Sequence, residues 1–450
     1  MNHAWRLALR NLQRNARRNF ATGAAIAFGF AGLVIVGGYI LRVDRYLATS
    51  AVYLAHTGHV AIYKRDGIDV ATTKPRKFSL SIAEQAGIAA ALANDPNVEF
   101  SGRYLQGTGL IGNGCRAIPF VVLGAEPAAA NFVRDHPQVR LELPELRKAL
   151  RGLGVGEAKG NAVSLTSVLA SRLGKPHVQS ELPARQLGGP IDCEAPDARE
   201  RIANTSSVQL LGSTFDGSFA AVEASFAGVH STGLADTEDS SLLTSLSTVQ
   251  SLFETNSVTY IGVFLKNTDE LEAYASDLEG RLRRQGIPAS VHTFQEERLS
   301  PFYAGSHAFL GVMAMFVGVI ITSVIILSII GSTTMTVIER SREIGSLRSI
   351  GFRRAQIRGL FVRETIALTA LSVAAGLVLS LTVCAIVNAA NIRYSPPGVS
   401  GDMQFMLHPD LALCVSVTAL VLALACAGTL LAVRSRVHMK VADLNAAVVG

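Results

Sequence analysis

The 450-residue chain is 49% hydrophobic and only 17% charged, and its mean hydropathy is +0.32. It is too apolar for an ordinary soluble enzyme and too charged to lie wholly in a membrane, so the composition indicates a mixed membrane and soluble protein. The net charge of +6 is concentrated: residues 1–20 hold five arginines and no acid, and residues 332–364 hold seven arginines against three glutamates. Because this charge flanks long apolar runs, it does not indicate nucleic-acid binding.

The N-terminal segment predicts a membrane-anchored start. Residues 1–19 form an amphipathic basic helix that is expected to lie on the cytoplasmic face. The charge-free run 20–41 is long enough to span a bilayer, although a cleaved signal peptide is an alternative reading. Residues 42–56 are helix-compatible and predict a stalk that continues the first span.

Residues 57–305 predict a soluble α+β domain. A strand is expected at 59–63, further strands at 121–127, 207–231, 258–265 and 289–294, and helices at 164–173 and 240–254. Ser81 with Glu84 makes a capping box, and Asn267 with Glu270 predicts the start of another helix, with the apolar stripe Leu271, Tyr274, Leu278 and Leu282. The irregular stretch of about 128–205 predicts an insert within this domain.

Three further charge-free runs complete a four-span architecture. The predicted segments are spans at 308–331, 365–390 and 411–433, an arginine-rich loop at 332–364, an outer loop at 391–410 and a basic tail at 434–450. The positive-inside rule puts the N-terminus, the 332–364 loop and the C-terminus in the cytoplasm. The large domain and the 391–410 loop are then expected outside.

The loop 332–364 carries an ordered motif. Its sequence reads ERSREIGSLRSIGFRRAQI from Glu339, with Ile344 and Leu347 on one helical face and Gly351 as a plausible helix stop. The alternative is a solvated loop whose arginines only set the orientation of the chain in the membrane. The motif and the order of the segments resemble the FtsX/MacB-type ABC transporter permeases, the family that includes the lipoprotein-releasing LolC and LolE subunits.

That resemblance implies a fold, partners and site residues. It implies a MacB-like periplasmic domain, in which a porter-like unit is interrupted by an inserted subdomain, in a protein of the bacterial inner membrane. It implies a partner dimer of ABC ATPase subunits that binds ATP and Mg²⁺, a second permease copy, and a periplasmic or outer-membrane partner. The residues expected to couple to the ATPase are Glu339, Arg340, Arg342, Glu343, Ile344, Gly345, Leu347, Arg348 and Gly351.

No catalytic or cofactor motif is present in the sequence. The chain lacks a G-x-x-x-x-G-K-[ST] phosphate loop, H-E-x-x-H and G-x-S-x-G, which predicts a transporter subunit that is not itself an enzyme and binds no cofactor or metal. His56 and His59 are three residues apart, but Gly58 would break a helix between them and no third ligand is evident. Cys115 and Cys193 would form a disulfide if their domain is exported, with two free thiols as the alternative.

The expected function is mechanotransmission, in which ATP hydrolysis below the membrane moves the domain above it. The resemblance to the lipoprotein-releasing permeases implies that the substrate is a lipoprotein or another amphiphile. A set of apolar and aromatic residues beside the membrane is expected to enclose the substrate between two stalks, with plain stalk packing as the alternative: Tyr46, Leu47, Tyr53, Leu54, Phe302, Tyr303 and Phe309. Two other functions stay open: an FtsX-like scaffold that activates an extracytoplasmic hydrolase, and a membrane-anchored enzyme.

Overall fold

A computed structural model describes residues 16–144, 151–152, 154–155, 157, 160–175 and 191–437. Most of the predicted basic helix 1–19 and of the tail 434–450, and parts of the predicted insert 128–205, lie outside these residues. The described chain forms two compact units. The membrane unit takes residues up to Asp44, Ala308–Ile392 and residues from Gln404 onward, and the α+β unit takes Arg45–His307 and Arg393–Met403.

Four long helices in the described chain are apolar enough to cross a membrane. They are α1 (Ala16–Thr49), α10 (Pro301–Glu339), α12 (Arg354–Ala389) and α13 (Leu411–Val437), numbered among all helices of the chain. In the membrane unit, Ile26 and Phe30 of α1 pack against Ile325 of α10 and Val421 of α13 in one buried cluster. The four predicted spans are therefore confirmed as helices of spanning length.

The other helices are short. They are α2 (Pro75–Phe78), α3 (Ile82–Leu92), α4 (Pro127–Asp135), α5 (Pro137–Glu142), α6 (Ser167–Arg172), α7 (Ala198–Asn204), α8 (Leu246–Phe253), α9 (Leu271–Arg284) and α11 (Ser341–Ser349), with a π-helical turn at Ser50–Leu54 and a 3-10 turn at Ala235–Thr237. The predicted capping box is present, since Ser81 N donates to Glu84 Oε2 at 2.7 Å and Glu84 N donates to Ser81 Oγ at 3.4 Å. These two bonds satisfy backbone donors that the start of α3 leaves without helical partners.

A ten-stranded sheet forms the body of the α+β unit. Its strands are β1 (Val60–Lys64), β2 (Val98–Gly112), β3 (Ala117–Ala125), β4 (Arg151–Gly152), β5 (Ala162–Thr166), β6 (Ser207–Ser213), β7 (Phe219–His230), β8 (Ser241–Ser245), β9 (Tyr260–Leu265) and β10 (Ala289–Thr293). The order is β10-β1-β9-β2-β3-β8-β5-β7-β4, with β6 pairing β2 and β7 beside this path. Neighbours run antiparallel except β3 with β8 and β5 with β7, which are parallel.

Three predicted helices are present, but each begins later than predicted. The helix predicted at 164–173 begins only at Ser167, because 162–166 is a buried strand, and the helix predicted at 240–254 begins at Leu246 after strand β8. Asn267 does not cap α9: its Oδ1 accepts from Asp269 N at 2.9 Å, and the helix starts at Leu271. In each case the residues just before the helix form other hydrogen bonds, in strands β5 and β8 or with the Asn267 side chain.

The segment Arg393–Met403, predicted as part of an outer loop, belongs to the α+β unit. Leu234 pairs with Val399 in an isolated antiparallel bridge. Ala235 N donates to Gly398 O at 3.1 Å, and Ser400 N donates to Gly233 O at 3.0 Å. Two short strands, β11 (Arg393–Tyr394) and β12 (Met403–Gln404), flank this contact, which is called the clasp below.

Candidate functional site

The motif-bearing segment of the membrane unit is a helix–helix–helix corner. The predicted loop 332–364 is almost wholly helical: α10 continues to Glu339, α11 takes Ser341–Ser349, and α12 begins at Arg354. Gly351 has a φ of +100°, which is costly for any residue with a Cβ, and Phe352 N donates to Leu347 O at 3.0 Å. Gly351 therefore ends α11, as the sequence predicted.

The apolar face of α11 is turned into the membrane unit. Ile344 is 2% exposed and packs with Ile357 and Phe361 of α12 and with Val433 of α13, while Leu347 packs against the same cluster. Burying one such side chain stabilises by about 1.5–3 kcal/mol. Ile344 and Leu347 therefore fix α11 to its own chain and do not offer an apolar face to a partner. Gly345 is also buried.

A buried ion pair adds to this anchoring. Arg340 Nη1 lies 3.0 Å from Glu364 Oε2, and the two side chains are only 12% and 11% exposed. Arg340 Nε also lies 3.5 Å from Glu343 Oε2, but the Glu343 side chain is 56% exposed. Arg340, expected to face an ATPase, is thus engaged inside the corner. The sequence could not show this, since Glu364 lies 24 residues away.

The outward side of the corner carries a different set of residues. Glu339 and Glu343 are exposed, Arg348 is half-buried, and the side chain of Arg342 is outside the described part of the structure. The tip presents two apolar side chains, Ile350 at 77% and Phe352 at 47% exposure. The sequence analysis missed both as site residues, although they flank the helix-ending Gly351.

The predicted stalk residues are mostly interior to the α+β unit. Tyr46, Leu47 and Tyr53 are 5%, 6% and 2% exposed. The Tyr53 ring stacks on His136 with centroids 4.4 Å apart and on Phe264 at 5.4 Å. Tyr53 is therefore packed within its own chain, and a cavity between two stalks stays a prediction.

The remaining predicted stalk residues differ in how far they are buried. Phe302 packs against Gly398, whose added Cβ would lie 2.6 Å from the ring, and Tyr303 is 6% exposed beside Phe294. Phe309, in the membrane unit, is 66% exposed. Leu54 is half-buried. Of the seven predicted residues, Phe309 is the one with a largely exposed side chain.

Cys115, Cys193 and His59 have partners within the α+β unit. Cys115 and Cys193 are joined in a disulfide with Cα atoms 5.6 Å apart. The Nδ1 atom of His59 accepts from Leu265 N at 2.9 Å, and burial lowers the pKa of His59 to about 4. No cluster of three or more His, Cys, Asp or Glu side chains that would suit a metal occurs in the part of the chain that the structure describes.

Part of the membrane unit is similar in sequence to a known protein family. Residues 315–441 match the family model of the FtsX-like permease C-terminal region, a little over a quarter of the chain. No curated protein matches the chain. Among solved structures, the periplasmic region of MacB from Actinobacillus actinomycetemcomitans is similar at 12% identity, over 52% of this chain and 88% of that one, with a TM-score of 0.31.

The extracellular domain of the noncanonic ABC-type transporter YknZ from Gram-positive bacteria is similar at 11% identity, over 52% of this chain and 99% of that one, with a TM-score of 0.29. The sequence match covers most of α10, all of α11 and α12, and the described part of α13. Over residues 315–441, this chain is therefore similar in sequence to the FtsX-like permeases.

Proposed function

We propose that this chain is the transmembrane permease subunit of an ABC complex, and that α11 with its tip docks on a separate ATPase subunit. The ATPase would bind ATP and Mg²⁺. The similarity of residues 315–441 to the FtsX-like permeases supports the class of protein. The observation that carries the docking proposal is the corner itself, with an inward face held by its own chain and an outward tip of exposed Ile350 and Phe352.

The anchoring of α11 is what force transmission requires. A helix that moved freely would absorb the movement of an ATPase instead of passing it on. Ile344 in its buried cluster and Arg340 paired with Glu364 hold α11 against α12 and α13, so a push on the tip acts on two apolar helices at once. Exposed apolar residues at the centre of a contact are typical binding hot spots.

The proposed orientation places this corner in the cytoplasm and the α+β unit outside, in a bacterial inner membrane. Seven arginines in residues 332–364 support it by the positive-inside rule. The Cys115–Cys193 disulfide supports it too, because structural disulfides persist in oxidising compartments.

For the substrate we propose a lipoprotein or another amphiphile, handled by two permease copies. The support is on α10, where Phe309, Val312 and Phe316 are 66%, 61% and 65% exposed. Such a surface requires lipid, a second copy or an amphiphile against it. The burial of Tyr46 and Tyr53 removes them from this proposed surface and leaves Phe309 at its start.

The docking proposal is tested with Ile350→Asp and Phe352→Asp in the full-length chain purified from its own membranes. Phe219→Asp, at a 93% exposed position of the α+β unit, is the matched control. Loss of a hot-spot side chain costs about 2 kcal/mol or more, or roughly 30-fold in affinity. Both tip variants should lose the co-purifying ATPase subunit and its ATP hydrolysis, whereas the control should keep both. Retention of a stoichiometric, active ATPase in both tip variants would overturn the proposal.

A further inference from the structure

A cavity of about 130 Å³ lies inside the α+β unit, away from the corner described above. Helix α4 covers it on one side, with Ala130 and Val133 in its lining. On the other side it is bounded by strands β5, β7 and β8, with Leu243 and Val229 among the lining residues. Most of the accessible surface of the wall is apolar, although polar side chains also line it, so the cavity is suited to a group that is mainly apolar.

One part of the wall is polar and carries two histidines. His230 is held by hydroxyl groups, with Nδ1 3.2 Å from Ser164 Oγ and Nε2 3.4 Å from Ser241 Oγ. His56 is 6% exposed, and its Nδ1 has no hydrogen-bond partner among the described residues. Buried polar groups are nearly always hydrogen-bonded, so an unpaired and almost inaccessible imidazole nitrogen in a residue that lines the cavity is unusual.

The backbone at His56 is unusual as well. His56 has a φ of +58°, in the left-handed region that residues with a Cβ seldom adopt. Such conformations occur preferentially at functional sites, where the surrounding structure holds them. At His56 the strained backbone, the buried imidazole and the unsatisfied nitrogen coincide at one cavity wall.

The charges around the cavity favour an uncharged occupant. Burial lowers the pKa of His56 to about 3 and that of His230 to about 4, so both rings are neutral at neutral pH. Arg134, also in the lining, is paired with Glu157, its Nη2 lying 2.8 Å from Glu157 Oε1. A charged ligand would lose its hydration here without gaining an opposite free charge.

The size of the cavity limits the ligand. An apolar protein cavity of about 150 Å³ accommodates benzene, so about 130 Å³ suits a single ring or a short alkyl chain. We propose that this cavity binds a small neutral amphiphilic molecule, with a ring-sized apolar body and one hydroxyl or carbonyl group that hydrogen-bonds to the polar part of the wall, where Ser164, Ser231 and Thr232 lie. This binding site is separate from the docking tip and does not depend on it.

The wall of the cavity continues into the clasp. Ser231 and Thr232 belong to its wall and lead directly into Gly233 and Leu234 of the clasp. The Oγ atoms of Ser231 and Ser400 lie 3.3 Å apart. A molecule in the cavity therefore touches the segment that holds residues 393–403 to the α+β unit.

The test is photolabelling of the full-length chain in lipid nanodiscs with a diazirine-bearing hexanol, followed by peptide mapping. Site mapping distinguishes the cavity from dissolution of the probe in the bilayer. We expect saturable labelling in α4 and at the end of β7. Benzyl alcohol should compete at least about tenfold better than benzoate, because benzoate would have to be desolvated as an ion.

A filling variant supplies the matched comparison. Ala130→Phe places a ring in the cavity, and Ala128→Phe makes the same change at an exposed position of the same helix. Labelling of α4 should be lost in Ala130→Phe and kept in Ala128→Phe. The wild-type competition decides the matter even if Ala130→Phe misfolds. Labelling confined to the apolar helices, or labelling of α4 that benzyl alcohol does not reduce, would overturn the proposal, because neither result shows a molecule bound in the cavity.

Discussion

Replacing Glu364 by Gln should loosen α11 without unfolding the rest of the protein. The change removes the negative charge that neutralises Arg340 at 3.0 Å, in a site where both side chains are nearly buried. Breaking a buried pair by removing one partner costs about 3–5 kcal/mol. Glu343 lies 3.5 Å from Arg340, and the Gln amide still accepts a hydrogen bond. We therefore expect the free energy of local opening of α11 to fall by a smaller amount, about 2 kcal/mol.

The assay is hydrogen exchange of the amides in Ser341–Ser349, which reports the free energy of local opening. A loss of about 2 kcal/mol corresponds to about 30-fold faster exchange. Glu343→Gln is the matched control, because it removes the same charge beside the same arginine from a side chain that is 56% exposed. Exposed pairs contribute about 0–1 kcal/mol, so the control should change exchange by about fivefold at most.

A charge-free double variant, Arg340→Met with Glu364→Leu, extends the test. Replacing both partners of a buried ion pair by apolar residues is often neutral or stabilising, so exchange in α11 should return close to the wild-type rate. Equal exchange rates in Glu364→Gln and Glu343→Gln would refute the reasoning, because they would show that burial of the Arg340–Glu364 pair contributes nothing to holding α11.

Three other predictions concern the α+β unit and the topology. Cys115→Ser with Cys193→Ser removes a cross-link over 78 residues, which should lower the free energy of unfolding by about 2–4 kcal/mol and abolish the sensitivity of the melting temperature to reductant; a melting temperature equal to that of the wild type would contradict it. Burial lowers the pKa of His230 to about 4, so its contribution to stability is complete above about pH 6.5 and is lost as the pH falls towards 4, by about 1.4 kcal/mol per pH unit. In His230→Gln the melting temperature should therefore fall less steeply as the pH is lowered from 6.5 towards 4. A pH dependence equal to that of the wild type would count against this prediction. A reporter inserted near Arg354 should be cytoplasmic and one near Gly188 external, and a cytoplasmic reading at the second position would rule out the four-span topology.

Much of the architecture follows from local sequence patterns. The four charge-free runs predict the four long helices, since few other environments accept so many consecutive apolar residues. Ser81 and Glu84 predict a helix start because both partners of the cap lie within three residues. Gly351 predicts the end of α11 for the same reason, a local backbone conformation that glycine adopts at little cost.

The failures involve contacts between distant residues. Asn267 has the chemistry of a cap, but its side-chain oxygen turns to Asp269 instead. Tyr53 was expected to be exposed because the chain around it looked like an isolated stalk, but His136 and Phe264, both distant in sequence, stack on its ring. Pairing of Leu234 with Val399 likewise leaves no signal in either segment.

At the candidate site, too, local features were predicted from the sequence and contacts between distant residues were not. The motif predicted an amphipathic helix correctly, but amphipathicity does not say whether the apolar face meets the same chain or a partner. The structure assigns Ile344 to the chain's own core and leaves Ile350 exposed. The exposed residues that a partner would contact, such as Ile350, are therefore found only from the structure. The sequence pattern pointed instead to the buried Ile344.

The most direct test of the docking claim is site-specific photo-crosslinking in the purified permease–ATPase complex. A photoreactive amino acid replaces Ile350 at the exposed tip, and the same amino acid at the 93% exposed Phe219 serves as the control. The account predicts an adduct with the nucleotide-binding subunit from position 350 and none from position 219. Absence of an ATPase adduct from position 350, in a complex that hydrolyses ATP, would contradict it.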